Sequence, residues 1–312
     1  MEYIITNKKN DIKDFIKKYK NKKFTIKNKD EQFQVKLIKE KSVITPKLNF
    51  YCIQTIELST NENVKYVFKI SFNDPLIHKP SFEKVYINNI SKSEKYSGSE
   101  VVKFVIDFLK SFKQIKKAYL YDGSEVSCKN SNDKLDLSLY KLITSHLGFY
   151  QKFGFRLVTD NDEDIDNRMI KIARKVSNYK VSDILRNFEK IIRLIEKHKE
   201  NVFVKKINSW DKTLQEEKLN EISRYMFNLG YLYYSLSGYR GSTFGECMKK
   251  MNENKCFMVS QIFDCLVNDT DMLYVEFKSG KEKIKSIFLY DFYKLCIYRK
   301  NYQWKGMYCK SL

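Results

Sequence analysis

The feature that most constrains the fold is a close succession of a strand, a helix and a second strand between residues 82 and 155. Residues 85–90 read Val-Tyr-Ile-Asn-Asn-Ile, a run that is typical of a β-strand. Residues 101–112 place apolar side chains at helical spacing, and residues 118–121 again resemble a strand. We therefore expect a helix that packs a wide apolar stripe on a sheet.

The start of this predicted helix carries a capping signature. The Ser97 hydroxyl can accept a hydrogen bond from the Glu100 amide, and the Glu100 carboxylate can reach back to the Ser97 amide. The first turn of a helix exposes amides that have no partner within the helix, and the helix dipole is positive there. A helix that opens near Gly98 is therefore suited to hold an anion.

The first half of the chain is rich in strand patterns. Apolar residues at helical spacing predict one helix over residues 10–19. Alternating runs predict four strands, which lie at 24–26, 33–38, 50–58 and 66–72. Polar breaks separate these runs, as expected for an antiparallel sheet joined by short turns. Together with the strand–helix–strand stretch, these patterns predict an α+β domain over residues 1–158.

The second half has mainly helical spacing. An acidic run at residues 160–166 is expected to be a linker or a helix start, and amphipathic stretches follow it. A Gly-containing segment at 237–243 is expected to be a turn between helices. Two strand-like runs, at 273–277 and 284–290, flank a predicted hairpin turn. We therefore expect a mostly helical second domain with a small β-hairpin over residues 165–312.

The composition bounds the partners and the compartment. The chain has 58 Lys and Arg against 38 Asp and Glu, and its net charge of +20 favours nucleic acid or another polyanion. Its mean hydropathy of −0.52 and its lack of long apolar runs predict no membrane segment and no export signal, hence a cytoplasmic protein. Its seven cysteines are then expected to be reduced. No Cys-x-x-Cys pair is present, so no metal site is predicted.

The C-terminal segment, residues 292–312, interleaves aromatic side chains with Lys and Arg. Such a segment can stack nucleic-acid bases. It can equally form the edge of a helical core in a chain that has 22 Tyr and 22 Phe. The second interpretation is favoured, and the first stays open at the level of the sequence.

Two motifs of the strand–helix–strand stretch resemble the GCN5-related N-acetyltransferase (GNAT) superfamily. Residues 95–100, Lys-Tyr-Ser-Gly-Ser-Glu, are similar to the family's Gln/Arg-x-x-Gly-x-Gly/Ala loop, which holds the pyrophosphate of acyl-CoA. Residues 149–155, Phe-Tyr-Gln-Lys-Phe-Gly-Phe, match the family's closing motif Leu/Phe-Tyr-x-x-x-Gly-Phe. The resemblance covers about residues 1–158 and implies a GNAT-like mixed sheet with flanking helices. It does not extend to residues 165–312.

The resemblance also implies site residues and a co-substrate, acetyl-CoA. Tyr150 would be the general acid that protonates the departing CoA thiolate, which suits a phenol with an ordinary pKa of about 10. Backbone near Ile87 and Asn89 would polarise the thioester carbonyl. The residues that would surround the cofactor's pyrophosphate are Lys95, Ser97, Gly98, Ser99, Glu100 and Val101. The acceptor would be an amine on a small molecule or a protein, with Glu57, Glu83 and Asp122 as candidate bases.

Glu100 opens an alternative, because the family has a small residue at this position. A carboxylate there would repel the pyrophosphate unless it turns back into the capping box. The second hypothesis is therefore a non-catalytic GNAT-like structural or interaction protein, whose basic surface binds nucleic acid, another polyanion or a protein. Divergent proteins of this kind are a theme in large DNA viruses. The Lys-, Asn-, Ile- and Tyr-rich composition is compatible with such a source, in a virion or the host cytoplasm.

Overall fold

The structure, a computed structural model, describes most of the chain and divides it into two units. The described residues are 2–4, 9–28, 31–41, 49–56, 67–73, 81–93, 95–120, 125–129, 131–158, 165–197, 202–205, 215–268, 274–277, 283–285, 287–303 and 307–312. Unit 1 comprises Met1–Asp122, Tyr150–Val158 and Gly306–Leu312, and unit 2 comprises Gly123–Phe149 and Thr159–Lys305. The sequence predicts domains at 1–158 and 165–312. In the structure, residues 123–149 belong to unit 2 and residues 306–312 belong to unit 1.

Strands outnumber helices before residue 158, and helices predominate after it. Among the described residues the strands are β1 (Glu2–Ile4), β2 (Lys23–Asn28), β3 (Glu31–Lys41), β4 (Asn49–Thr55), β5 (Phe68–Phe72), β6 (Lys84–Ile90), β7 (Lys117–Leu120), β8 (Glu125–Ser127), β9 (Lys134–Asp136), β10 (Arg156–Val158), β11 (Val202–Lys205), β12 (Tyr274–Phe277), β13 (Lys283–Lys285) and β14 (Met307–Ser311). The helices are α1 (Ile12–Tyr19), α2 (Gly98–Lys110), α3 (Leu137–Ser145), α4 (Ile165–Asn178), α5 (Val181–Lys197), α6 (Gln215–Ser237), α7 (Phe244–Asn254), α8 (Cys256–Asn268) and α9 (Ile287–Gln303). A 3-10 turn covers Gln151–Phe153.

Unit 1 is built on a mixed sheet of nine strands in the order β1-β2-β3-β4-β5-β6-β7-β14-β10. Neighbouring strands from β2 to β6 are antiparallel, and β6 pairs in parallel with β7. Strand β14 lies between β7 and β10 and is antiparallel to both. The predicted α+β class is confirmed, and the strand–helix–strand stretch is present as β6, α2 and β7.

Helices α1 and α2 pack on one face of this sheet through aromatic side chains. Phe15 of α1 contacts Phe24 of β2, and it also contacts Phe108 and Phe112 of α2, with ring centroids 5.0 to 6.0 Å apart. The predicted apolar stripe of α2 is buried throughout: Val101, Val102, Phe104, Val105, Phe108, Leu109 and Phe112. This packing fixes the first turn of α2 relative to the sheet.

The opposite face of the sheet carries a row of hydroxyl and thiol side chains. The strand register places these residues side by side across five strands: Cys52, Ser71, Tyr86, Tyr119 and Cys309. Phe72, the neighbour of Ser71 in β5, points to the helical face, where its ring centroid lies 6.3 Å from that of Phe112. Because side chains alternate along a strand, Ser71 belongs to the face away from α2.

Unit 2 is mainly helical, as the spacing predicts. Helix α4 packs against α3, α7 and α9, and α5 packs against α6. The Gly-containing segment at 237–243 is a turn between α6 and α7, as predicted. Nowhere in the described ranges is a helix both long enough and apolar enough to span a membrane.

The predicted hairpin of unit 2 is present as β12 and β13, and β11 adds a third strand. The prediction of a strand over residues 284–290 is wrong beyond Lys285, because α9 begins at Ile287. Helical spacing lets Phe288 and Phe292 be buried together, with ring centroids 6.2 Å apart. A short apolar run does not distinguish a strand from a buried helix by itself.

The aromatic C-terminal segment forms most of α9 and all of β14. Phe292 and Tyr293 are buried in α9, and Tyr308 is buried in β14. These three side chains belong to the cores of their units. For these residues, the structure supports a role in the core over base stacking.

Unit 2 contains a disulfide between Cys128 and Cys256. The expectation that all seven cysteines are reduced is therefore wrong. The two residues are 128 positions apart in the sequence, so no local spacing marks them, and folding brings their Cα atoms to 5.5 Å. A crosslink that closes so long a loop removes much of the conformational entropy of the unfolded chain.

Candidate functional site

The first turn of α2 forms the capping box that the sequence predicts. The Ser97 hydroxyl accepts a hydrogen bond from the Glu100 amide at 3.3 Å, and the Glu100 carboxylate accepts one from the Ser97 amide at 2.7 Å. Hydrogen bonding to the Glu100 carboxylate by the side chain and then by the backbone amide of Ser97 lowers the pKa of Glu100 from its ordinary value. The carboxylate is therefore ionised at neutral pH and folded onto Ser97.

The capping box provides hydrogen-bond partners for only some of the backbone amides in this turn. The Val101 amide donates to the Ser97 carbonyl oxygen at 3.1 Å, and the Val101 side chain is fully buried. Gly98 and Ser99 carry the two earlier amides, which a helix cannot satisfy from within. Of the residues predicted to surround a pyrophosphate, Gly98 and Ser99 therefore offer amides, whereas Val101 belongs to the core.

The closing motif reaches the same turn through Lys152. Lys152 Nζ donates a hydrogen bond to Ser99 Oγ at 3.0 Å. The positive end of a helix dipole repels an ammonium group. An anion bound at this turn would attract both the ammonium group and the helix end. Lys95 is exposed in the preceding loop, with its Nζ 5.3 Å from the ring centroid of Tyr96.

Tyr150 lies immediately before the 3-10 turn of the closing motif. Its side chain is buried, and its ring centroid is 6.1 Å from that of Phe155. Gly154 ends the turn with a φ of +84°, a conformation that favours glycine. A Cβ on Gly154 would stand 2.6 Å from Lys310 Nζ, the far end of a flexible side chain that can move aside, so it is the backbone conformation that favours glycine in the turn that positions Tyr150 and Lys152.

Strand β6 has a β-bulge at Asn88. The register pairs Lys69 with Asn89 and then Ile70 with Ile87, so Asn88 is an extra residue in β6. Ile87 is buried and also pairs with Leu120 of β7. A bulge interrupts the regular hydrogen-bond ladder and re-aims a side chain. The irregularity therefore lies between Ile87 and Asn89, the two residues predicted to flank the thioester carbonyl.

A buried hydrogen-bond chain ends at this bulge. Ser71 Oγ donates to Asn88 Oδ1 at 2.6 Å, and Cys52 Sγ lies 3.2 Å from Ser71 Oγ. Ser71 has a single hydroxyl proton, so the Cys52 thiol is the donor to Ser71. Burial raises the pKa of Cys52 to about 12, which keeps that thiol protonated at neutral pH.

Of the candidate bases, the structure describes Glu83. Its carboxylate is paired with Lys116 Nζ at 2.6 Å, and it precedes Asn88 by five residues, about 16 Å along a strand. Glu57, Asp122 and the acidic residues 160–164 lie outside the described residues. Across the residues that are described, no group of three or more His, Cys, Asp or Glu side chains is placed to hold a metal ion.

Comparison of the chain with protein-family models, with characterised protein sequences and with solved structures finds no match.

Two contributors to the site were not predicted from the sequence. Lys152 lies inside the closing motif, but nothing local shows that its side chain reaches Ser99. Asn88 did have a signal, because two consecutive Asn residues are unfavourable in a strand and indicate an irregularity.

Proposed function

We propose that the protein is an acyl-CoA-dependent N-acyltransferase that transfers an acetyl group from acetyl-CoA to an amine. One contact carries the proposal, the 3.0 Å hydrogen bond between Lys152 Nζ and Ser99 Oγ. It joins the two motifs of the GNAT resemblance, whose contacting residues are 53 positions apart in the sequence. Motifs that resemble one family and also meet in space support a common role.

The pyrophosphate of acetyl-CoA would bind at the first turn of α2. The amides of Gly98 and Ser99 would donate to it, and the ammonium groups of Lys152 and Lys95 would attract it. The negative charge of Glu100 repels the pyrophosphate less than its position in the loop suggests, because its carboxylate accepts a hydrogen bond from the Ser97 amide at 2.7 Å. The capping box thus turns the carboxylate back along the loop.

The chemistry would take place beside the bulge of β6. The acceptor amine attacks the thioester carbon, and backbone amides near Ile87 and Asn89 would stabilise the oxyanion that forms. The carbon–sulfur bond then breaks as the carbonyl re-forms. Tyr150 would give its phenolic proton to the CoA thiolate, and the proton released by the amine would pass to solvent.

Acetyl-CoA binding by isothermal titration calorimetry tests the proposed pyrophosphate site. Lys152→Glu and Gly98→Glu should each weaken binding at least tenfold, because each places a carboxylate near the pyrophosphate. Lys110→Glu is the matched control, since it makes the same charge change at the exposed opposite end of α2. Absence of binding to the wild type at millimolar acetyl-CoA, or equal losses in Lys110→Glu, would contradict the proposal.

Release of the CoA thiol in the presence of primary amines tests the role of Tyr150. Tyr150→Phe keeps the buried ring but removes its proton. It should lower kcat about 10²- to 10⁴-fold and leave acetyl-CoA affinity unchanged. Unchanged turnover would remove Tyr150 from the mechanism.

A second candidate function, polyanion binding without catalysis, is favoured by the charge of unit 1. This unit contains 28 Lys and Arg against 14 Asp and Glu, whereas unit 2 contains 30 against 24. Polyanion binding without catalysis predicts tight, strongly salt-dependent binding of an oligonucleotide. Under this alternative, Lys110→Glu and Lys152→Glu should weaken oligonucleotide binding equally, and acetyl-CoA should not compete.

A further inference from the structure

We propose that the side chain of Asn88 binds the acceptor substrate by donating hydrogen bonds from Nδ2 to a carbonyl oxygen beside the acceptor amine. The inference rests on the proposed acyltransferase function. It narrows the acceptor from any amine to amines that carry an amide carbonyl next to them, the chemistry of amino-acid amides and peptide N-termini.

The bulge gives Asn88 a position that a regular strand would not. Asn88 has no cross-strand partner in β5, because the register passes from Asn89 directly to Ile87. Its side chain is exposed, although β6 lies inside the sheet with β5 and β7 on either side. An exposed polar side chain at a bulge in an interior strand is an arrangement that recurs beside binding sites.

The hydrogen-bond chain fixes which atoms of Asn88 are presented. Ser71 donates to Oδ1, so the amide nitrogen Nδ2 points away from Ser71. Among the described residues, no acceptor for the two Nδ2 protons is present. Ser71 and Cys52, which hold the other end of the chain, are completely buried. The Asn88 amide is therefore oriented in advance, which lowers the entropic cost of binding.

The type of donor determines what Asn88 can recognise. Nδ2 only donates hydrogen bonds, so it cannot accept one from a protonated or neutral amine. Its partner must be an atom with a free lone pair. The oxygen of a carbonyl adjacent to the acceptor amine satisfies that requirement and leaves the amine lone pair for attack on the thioester.

The face on which Asn88 lies favours the acceptor over acetyl-CoA as the ligand. Asn88 meets Ser71 on the sheet face opposite α2, whereas the proposed pyrophosphate site is the first turn of α2. The nucleophile must approach the thioester carbon from a side that the CoA arm does not fill. A donor on the face away from α2 is therefore placed for the incoming amine.

Steady-state acetylation of glycinamide and of ethylamine tests the proposal, because the two amines differ in the carbonyl. Asn88→Ala should raise KM for glycinamide about 3- to 10-fold, the effect of one or two neutral hydrogen bonds, and leave KM for ethylamine unchanged. Asn88→Asp, which replaces donors by acceptors, should lose the same preference. Ser71→Ala tests positioning: it should raise KM for glycinamide with kcat and the KM for acetyl-CoA unchanged.

The possible failures are distinguishable. If the wild type releases no CoA with any primary amine, the proposed function falls and this inference falls with it. If the wild type acetylates amines but excludes glycinamide, or if Asn88→Ala changes both substrates equally or neither, only the role of Asn88 is overturned. Side-chain amide NMR supplies a second measurement: the Asn88 Nδ2 resonance should shift with millimolar glycinamide and not with ethylamine.

Discussion

In unit 2 the buried carboxylate of Asp291 is held by Tyr179 and Lys175 at the end of α4, whereas in unit 1 the buried hydroxyl of Ser71 donates its hydrogen bond to an exposed side chain. Tyr179 donates to Asp291 Oδ2 at 2.6 Å, and Lys175 Nζ lies 2.8 Å from the same oxygen. The chain from Ser71 instead ends at Asn88, whose amide protons face outward.

This difference separates two uses of buried polar groups. A buried carboxylate that is held by side chains from a neighbouring helix favours one packing of the two helices, because another packing would leave the carboxylate unpaired. A buried chain that ends at the surface holds one donor in a fixed direction, which is what a ligand requires. We therefore expect the Asp291 network to serve the stability of unit 2 and the chain that ends at Asn88 to serve the proposed recognition of the acceptor.

The largest difference in stability between the units is expected when a residue of the aromatic core of unit 1 is truncated. Phe108 is fully buried between Phe15 and Phe112, with ring centroids 6.0 and 5.2 Å away. Phe108→Ala should cost about 3–5 kcal/mol, since it removes the transfer free energy of the ring and leaves a cavity. Native-state hydrogen exchange should show lost protection in unit 1 and retained protection in unit 2. Equal losses in both would mean that the units unfold together.

Removal of the disulfide is the corresponding test of stability in unit 2. Replacement of both Cys128 and Cys256 by Ser should lower the free energy of unfolding by about 2–5 kcal/mol, because the unfolded chain regains the entropy that the crosslink removes. Urea denaturation measures this loss, and acetyl-CoA affinity should not change. Dithiothreitol is the control: it should destabilise the wild type and leave the double variant unaffected. A wild type that is insensitive to the reductant would contradict the prediction.

The polar networks themselves can be compared directly. Asp291→Asn should cost about 1–3 kcal/mol, because it weakens the contacts that the buried side chain makes with Tyr179 and Lys175. Asn88→Asp should cost less than about 0.5 kcal/mol, because residue 88 is exposed and the carboxylate still accepts the hydrogen bond of the buried Ser71 hydroxyl. Urea midpoints of the two variants test this contrast. An Asn88→Asp variant as unstable as Asp291→Asn would make Asn88 a structural residue and remove the distinction between the units.

The smallest expected effect concerns the two capping boxes, Ser97–Glu100 in unit 1 and Thr243–Glu246 in unit 2. Hydrogen bonds to the capping residue lower the pKa of both carboxyls. A carboxyl whose folded pKa is depressed stabilises the protein above its unfolded pKa, about 4.3 for Glu. That contribution disappears as the pH falls through the lower folded pKa.

Glu100→Gln and Glu246→Gln should therefore be slightly less stable than the wild type at pH 7 and equal to it near pH 3. Thermal melts at both pH values measure the difference. Only Glu100→Gln should also bind acetyl-CoA more tightly, because it removes a negative charge beside the proposed pyrophosphate site. Equal acetyl-CoA affinities for the two variants would argue against that site.

The parts of the fold that could be predicted are those set by short-range patterns. The apolar stripe of α2 and its capping box depend on residues within a few turns, so periodicity and spacing suffice. The pairing of β14 with β7 and the Cys128–Cys256 crosslink depend on contacts across a hundred residues or more, which no local pattern encodes. The same holds for the site: Gly98 and Tyr150 belong to recognisable motifs, whereas the meeting of Lys152 with Ser99 is a product of the folded sheet.

The place of β14 in the sheet has a consequence for how the protein is made. Strands β1 to β7 emerge from the ribosome first, but the outer edge of β7 pairs with β14, which follows the whole of unit 2 in the chain. During the translation of that long segment, the nascent sheet presents an open hydrogen-bonding edge, the template for wrong pairing between chains. The yield of active protein should therefore depend on the speed of elongation through unit 2 and on chaperones that shield β7 in the meantime.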